Sequence, residues 1–237
     1  MSLPHSYGIV LNNGSTIVHG RGANIRTPFS AIPVIMHELS PGQHLHLQEP
    51  EQGQSKIRSY GGQLGFIEFT TDYRLPRHVH ISPPESQNPN DQAFTAERIL
   101  VLSGVALVEL NGEIFVIPPK TLVTIAPGVP HTWTACAKGV RVSAPPDTED
   151  IAKCTGRDNA QRHAPEPVVS TGQFLMVYEY EDPTGFFPTK QTDTLKDIEQ
   201  YERCDDLESI RIPALSAHEV QQRCTFVWEK AIWKKTS

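Results

Sequence analysis

Two His-x-His tripeptides occur in the sequence, at residues 44–46 and 78–80, and each has the spacing to hold a metal ion. In a β-strand, residues i and i+2 share a face, so both imidazoles of such a pair point to the same side. With ten histidines in 237 residues, a bare match of this kind has little weight. The residues that follow each pair therefore decide which one does chemistry.

Further donor residues follow the second pair, His78 and His80, on predicted strands. Glu97 begins one apolar strand, and His131 begins another just after a turn. A hairpin between these strands returns the chain to the same sheet, so three imidazoles and one carboxylate can converge inside a closed β structure. Such a set of N and O donors suits Fe, Mn, Ni, Cu or Zn, with positions left open for water or substrate.

These residues resemble the two motifs of the cupin superfamily, G(x)5HxH(x)3-4E(x)6G and G(x)5PxG(x)2H(x)3N. The HxH lies at 78–80, E(x)6G is matched by Glu97 and Gly104, and G(x)2H by Gly128 and His131. The resemblance covers residues 62–145, about a third of the chain. It implies a double-stranded β-helix, or jelly-roll barrel, with one divalent metal ion. Its implied ligands are His78, His80, Glu97 and His131.

The spacing between the second pair and the carboxylate departs from the motif. Sixteen residues separate His80 from Glu97, where the motif has three or four. Glu85 satisfies the shorter spacing, but it lies in the Pro- and Asn-rich stretch 81–96 and has no glycine seven residues later. We expect Glu97 to be the ligand because a strand holds a ligand more rigidly than a loop does, and Glu85 stays the alternative. The stretch 81–96 is also a candidate lid over the site.

The first pair, His44 and His46, lacks a comparable sequel. Glu49 and Glu51 follow it in a polar run with no apolar strand and no later histidine in register. We therefore interpret this segment as a loop or arm without a metal ion.

The inward faces of the ligand-bearing strands predict the pocket wall. Residues that share the face of Glu97 or His131 should point inward with them. The strand before His78 presents either Phe66 with Glu68 or Ile67 with Phe69, depending on a bulge. The predicted wall consists of Phe66, Ile99, Val101 and Trp133, and plain barrel core is the alternative role of these side chains. Arg74 and Arg77 flank the predicted mouth, where they would bind a substrate carboxylate or remain solvated.

The distribution of turn residues predicts an all-β fold. Twenty prolines and 16 glycines are spread along the chain between short apolar strands, and Asn111-Gly112 is a strong hairpin signal. We predict an N-terminal arm with extra strands at residues 1–61, the cupin barrel at 62–185, and a helical tail at 186–237. Ser216 is the expected N-cap of the tail helix, which an apolar stripe continues to residue 232.

Charge and cysteine usage argue against some classes of partner and indicate a cellular location. A net charge of −6 without a basic stripe argues against nucleic acid, and no apolar stretch has the length of a membrane span. The four scattered cysteines form no Cys-x-x-Cys pair, and no secretory signal is expected at the N-terminus, so we expect a cytoplasmic protein. A homodimer is an expectation by analogy with cupins.

The expected function is metal-dependent chemistry on a small organic molecule, aromatic or a keto acid. An Fe(II) oxygenase, such as a dioxygenase, is the favoured form. The alternatives are a non-oxidative isomerase, cyclase or decarboxylase, a small-molecule-binding cupin without turnover, and a metal-free epimerase.

Overall fold

The computed structural model describes residues 9–10, 16–17, 24–27, 30–32, 34–41, 62–83, 92–143, 166–228 and 231–235. The pair His44 and His46 and the alternative ligand Glu85 lie outside these residues. The described strands are β1 Ile9–Val10, β2 Thr16–Ile17, β3 Asn24–Arg26, β4 Met36–Pro41, β5 Gln63–Thr70, β6 His78–Val79, β7 Glu97–Gly104, β8 Ala106–Leu110, β9 Glu113–Ile117, β10 Thr121–Ile125, β11 His131–Ala135, β12 Arg141–Val142, β13 Val168–Val169, β14 Gln173–Tyr180, β15 Phe187–Pro188, β16 Thr225–Trp228 and β17 Ala231–Lys234. The described helix is α1 Ala217–Arg223, and a 3-10 turn spans Ile198–Gln200.

Two sheets pack face to face around the main core. One has the strand order β10-β7-β14-β5-β4-β3 and the other β15-β6-β11-β8-β9-β16-β17. From β5 to β11 the chain alternates between the sheets, except for the hairpin β8–β9, which stays in one. This alternation is the strand order of a jelly roll, and it confirms the expected all-β fold class. Strands β3 and β4 extend the first sheet, as expected of the N-terminal segment.

Alternating side chains fill the space between the sheets. In β7, Glu97, Ile99 and Val101 are buried, and the residues between them are more exposed. In β8 both faces are buried, because Val108 points into the main core and Leu107 packs into a second cluster on the outer side of its sheet. The inner cluster is the barrel core on which the ligand-bearing strands rest.

The turn between β8 and β9 has the expected conformation. Asn111 and Gly112 both have positive φ, at 49° and 76°. A two-residue type I′ turn requires positive φ at both positions, so the hairpin prediction is confirmed.

The two glycines of the sequence motifs occupy positions that no other residue fits without strain. Gly104 and Gly128 both have φ of +73°. A Cβ atom would lie 2.0 Å from the carbonyl oxygen of Gln173 at the first position and 2.0 Å from that of Leu195 at the second. Both glycines are therefore required for backbone conformation and for close packing of neighbouring segments.

The C-terminal tail contains the expected helix, but the helix is shorter than the apolar stripe suggested. Ser216 accepts a hydrogen bond from the backbone N–H of Glu219, whose side chain accepts one in return from the backbone of Ser216. Beyond Arg223 the chain forms β16 and β17, so the helical interpretation of residues 225–228 and 231–232 is wrong. β16 pairs in parallel with β9, and its aromatic and β-branched residues favour this pairing over helix.

The tail covers the outer face of the second sheet. Val220, Cys224 and Phe226 lie in the same buried cluster as Leu107 and Val116 of the sheet. The division of the chain at residues 61/62 and 185/186 stays a prediction. Among the described residues, no helix has the length and apolarity needed to cross a membrane.

Replacing Gly104 with Ala should destabilise the fold more than the same change at Gly139. Both glycines have positive φ, but a Cβ at Gly139 would meet no atom within 4 Å. The clash with β14 should therefore add about 1–3 kcal/mol to the backbone strain that both variants share. Urea unfolding of the two variants measures this difference in the free energy of unfolding, and equal losses would contradict the packing role of Gly104.

Candidate metal centre

The register of β6 and β11 places the first two histidines opposite each other. His78 and His131 are direct cross-strand partners in an antiparallel pair. His80 follows His78 by two residues and turns its ring to the same side. All three side chains are buried, and one ligand atom from each lies within 4.8 Å of the others. The structure thus brings together the three histidines that the sequence selected.

Each imidazole is oriented by a backbone carbonyl. The Nδ1 atoms of His78, His80 and His131 lie 2.8, 2.9 and 2.9 Å from the carbonyl oxygens of Pro76, Gly185 and Val129. A carbonyl only accepts, so each Nδ1 carries the proton and donates it. In the neutral ring Nε2 is then left with a lone pair. This is the tautomer that a metal-binding histidine needs, fixed by a neighbouring acceptor.

Glu97 extends its carboxylate to the same point. Its Oε2 lies 3.0 Å from Nε2 of His131 and 3.4 Å from Nε2 of His80. Despite these distances, none of the three atoms has a hydrogen-bond partner with acceptable geometry, and all are buried. Buried acceptors that converge without a donor are costly unless a cation satisfies them. The donor set therefore fits a divalent metal ion.

The two ends of the 16-residue stretch between His80 and Glu97 pair with each other. Ile81 forms an antiparallel bridge with Phe94, and the backbone N–H of Ser82 donates to the carbonyl of Ala93. The backbone N–H of Thr95 donates to the carbonyl of His80. The two ends of the stretch 81–96 therefore run side by side, which brings Glu97 back to the histidines. Residues 84–91, with Glu85, lie outside the described part.

Burial and charge act together on the ionisable groups of the centre. Burial by itself raises the pKa of Glu97, but the neighbouring His80 and His131 outweigh it and hold this pKa well below the usual range. Burial also lowers the pKa of His78 well below its ordinary value, and the rings of His131 and His80 lower it further. Folding therefore favours an ionised carboxylate beside a neutral His78, the protonation states in which both bind metal.

Three of the four predicted wall residues face the barrel interior. Ile99, Val101 and Trp133 belong to the inner core. The prediction for Phe66 is wrong, because Ile67 and Phe69 are the buried residues of β5 and Phe66 points to the opposite face. The parity of β5 is set by its pairing with β14, which joins Ile67 to Met176.

Two aromatic residues beside the histidines escaped the sequence analysis. The ring centroid of Phe186 lies 4.6 Å from that of His78, and the ring centroid of Tyr180 lies 4.5 Å from that of His80. Tyr180 is the last residue of β14, and only the strand register identifies Glu97 as its cross-strand neighbour. Phe186 follows Gly185, whose carbonyl orients His80, and no motif marks this position.

The two arginines at the predicted mouth have structural partners. Arg77 donates through Nε to the buried carboxylate of Glu109, at 2.7 Å. Arg74 donates to the carbonyl of Ile212 and pairs with Glu208. Arg77 therefore links the start of β6 to β8, and Arg74 links the barrel to the C-terminal tail.

A surface cleft lies apart from the centre. It has a volume of ≈ 830 Å³, and its lining includes Phe94, Pro127, Leu195 and Ile198 but none of the three histidines. In the described part of the chain, the histidines and Glu97 are 1–4% exposed. The centre is therefore closed to bulk water in this conformation.

No family model matches the sequence. A search of curated proteins also finds no match. Among solved structures, the polyketide cyclase RemF from Streptomyces resistomycificus has a TM-score of 0.40 at 12% identity, over 83% of this chain and 98% of that one. A cupin-like protein from Thermotoga maritima has a TM-score of 0.31 at 13% identity, over 66% and 77%. A DMSP lyase has a TM-score of 0.34 at 14% identity, over 67% of this chain and 56% of that one.

Similarity at this level supports no conclusion about the reaction or the fold. The fold is therefore described from the chain's own strand order. The strands that alternate between the two sheets, with the histidine cluster facing inward, form a double-stranded β-helix, or jelly-roll barrel. The resemblance to cupins that the sequence motifs indicate is thereby confirmed at the level of the fold.

Acid should destabilise the metal-free protein partly through His78. Its pKa is lower in the folded chain than the ordinary 6.5, so the unfolded chain binds more protons below that pH. The free energy of unfolding should then fall, by up to about 1.4 kcal/mol per pH unit, as the pH drops below about 6.5. Urea unfolding between pH 7.5 and 5.5, with a chelator present, measures this slope.

The slope should be shallower in His78→Asn and unchanged in His218→Asn, since His218 is exposed on α1. Equal slopes in all three proteins would show that His78 does not contribute.

Proposed function

We propose that this chain is a metal-dependent enzyme that acts on a small organic molecule. His78, His80, Glu97 and His131 would hold one divalent metal ion. The observation that carries the proposal is the convergence of buried Nε2 and carboxylate acceptors without a donor. All three Nδ1 atoms donate to carbonyls, which orients each Nε2 for binding a metal ion. A purely structural histidine does not require this orientation.

The number of protein donors favours a metal that accepts more than four ligands. A catalytic zinc site usually has three protein ligands and one open position, so four protein donors would complete a tetrahedral zinc site. An octahedral ion would keep two positions for substrate or another small molecule. Among such ions we favour Fe(II), because imidazole and carboxylate together suit it, with Mn, Ni, Cu and Zn as alternatives.

Bound Fe(II) would supply one-electron chemistry with O₂ and a Lewis acid for a chelating substrate. The chain's own residues set the conditions for that chemistry. Glu97 contributes the single negative charge among the four donors, and the backbone carbonyls orient the imidazoles. The apolar side chains of Ile99 and Trp133 exclude water from the barrel behind the donors.

The surroundings of the centre favour a substrate with aromatic or aliphatic bulk. Phe186 is half-buried and packs against the rings of His78 and His80. A substrate that reaches the centre from this side would replace these ring contacts with its own, and an apolar or aromatic group does so at the least cost. Homodimer formation and a cytoplasmic location stay predictions.

Oxygen consumption separates the favoured reaction class from its alternatives. The protein loaded with Fe(II) should consume O₂ in proportion to the loss of an aromatic or keto-acid substrate, measured with an oxygen electrode and by chromatography. Turnover of a substrate under argon at the same rate would instead indicate an isomerase, cyclase or decarboxylase. Binding of compounds without any turnover would indicate a small-molecule-binding cupin.

Single alanine substitutions at the histidines should remove the metal while the barrel stays folded. The wild-type chain should carry about one metal ion, and His78→Ala, His80→Ala and His131→Ala should each carry less than about a tenth of it. His218→Ala is the matched control and should keep the wild-type content. Elemental mass spectrometry measures the metal, and circular dichroism checks the fold. Full occupancy in all three variants would contradict the proposed site.

A further inference from the structure

We propose that Tyr180 is the positioning residue of Glu97: its phenol holds the carboxylate so that Oε2 stays directed at the histidine nitrogens. This inference rests on the proposed function, because it concerns the same metal centre. It adds a residue that neither the motifs nor the histidine cluster includes.

The strand register places Tyr180 directly beside the carboxylate. Tyr180 of β14 is the cross-strand partner of Glu97 of β7. A bulge between Leu175 and Met176 shifts this register by one residue, and without it Arg98 would stand opposite Tyr180. The bulge therefore aims the phenol at the centre, as bulges beside functional sites often do.

Tyr180 carries a hydroxyl that can donate a hydrogen bond to Glu97. Its hydroxyl interacts with the Glu97 carboxylate across the strand pair. The histidines would not take this role in the metal-bound protein, because their Nε2 atoms would then bind the metal ion. A buried carboxylate needs such a donor when water is excluded, and Glu97 is 4% exposed.

The ring of Tyr180 also fixes the neighbouring histidine. Its centroid lies 4.5 Å from that of His80, at an interplanar angle of 53°. On the other side of His80, the ring of Phe186 lies at 5.4 Å. Tyr180 thus contacts two of the four donors, one through its hydroxyl and one through its ring, while it is itself buried.

Tyr178 offers a matched control on the same strand. It is two residues earlier, so it shares the inward face, and its ring centroid lies 5.2 Å from that of Tyr180. Its cross-strand partner in β7 is Ile99 rather than Glu97. Removing its hydroxyl makes the same chemical change in the same core, at a position that is not paired with Glu97.

The test compares Co²⁺ binding by the wild type, Tyr180→Phe and Tyr178→Phe. Tyr180→Phe should bind Co²⁺ about 10–100-fold more weakly, as expected for loss of a hydrogen bond to a metal ligand, and its visible absorption spectrum should change because Glu97 is no longer held in place. Tyr178→Phe should keep the wild-type spectrum and an affinity within about threefold of the wild type. Equal affinities and spectra for all three proteins, or equal weakening in both variants, would overturn the inference.

A double-mutant cycle with Glu97→Ala separates positioning from general loosening. If Tyr180 acts through Glu97, adding Tyr180→Phe to Glu97→Ala should change the affinity by less than about threefold. A full 10–100-fold effect in that background would overturn the inference while leaving the metal site intact. If the wild-type chain binds no Co²⁺ at all, the proposed function itself fails, and the inference fails with it.

Discussion

Three hydrogen bonds from imidazole Nδ1 atoms to backbone carbonyls determine what the rest of this barrel can do. Each bond is between 2.8 and 2.9 Å, and each leaves Nε2 of its ring as an acceptor inside the core. Together with the ionised carboxylate of Glu97, these acceptors form a buried region of negative electrostatic potential. Such a region is stable in a low-dielectric interior only when a cation or protons occupy it. A metal ion that binds here would relieve this cost and thereby stabilise the folded chain.

The pairing of the strands fixes the relative positions of these donors. Direct pairing of His78 with His131 sets one edge of the cluster, and pairing of Glu97 with Tyr180 sets the other. These pairs lie in different sheets, so the centre spans the barrel and depends on both sheets keeping their register. The core between them and the tail packed outside hold that register. Because His78, Glu97 and His131 lie on strands, their positions are more rigid than loop residues would allow.

Much of the fold could be predicted from the sequence because its signals are local. Each of these signals can be recognised from a few neighbouring residues in the sequence: the spacing of His78 and His80, the Asn111-Gly112 turn and the two motif glycines. The Phe66 prediction failed because the parity of β5 depends on pairing with a distant strand. Tyr180 was missed because a bulge a few residues earlier shifts its partner to Glu97. Strands β16 and β17 were taken for helix because β16 pairs with β9, more than a hundred residues away in the chain.

The most direct test of the metal centre is a crystal structure with anomalous diffraction data collected at the absorption edge of the bound metal. We expect one anomalous peak per chain, with the Nε2 atoms of His78, His80 and His131 at about 2.0–2.2 Å and a Glu97 oxygen at a similar distance. The Nδ1 atoms should still donate to the carbonyls of Pro76, Gly185 and Val129. A peak at another place, or metal-soaked crystals with no peak between these side chains, would contradict the account.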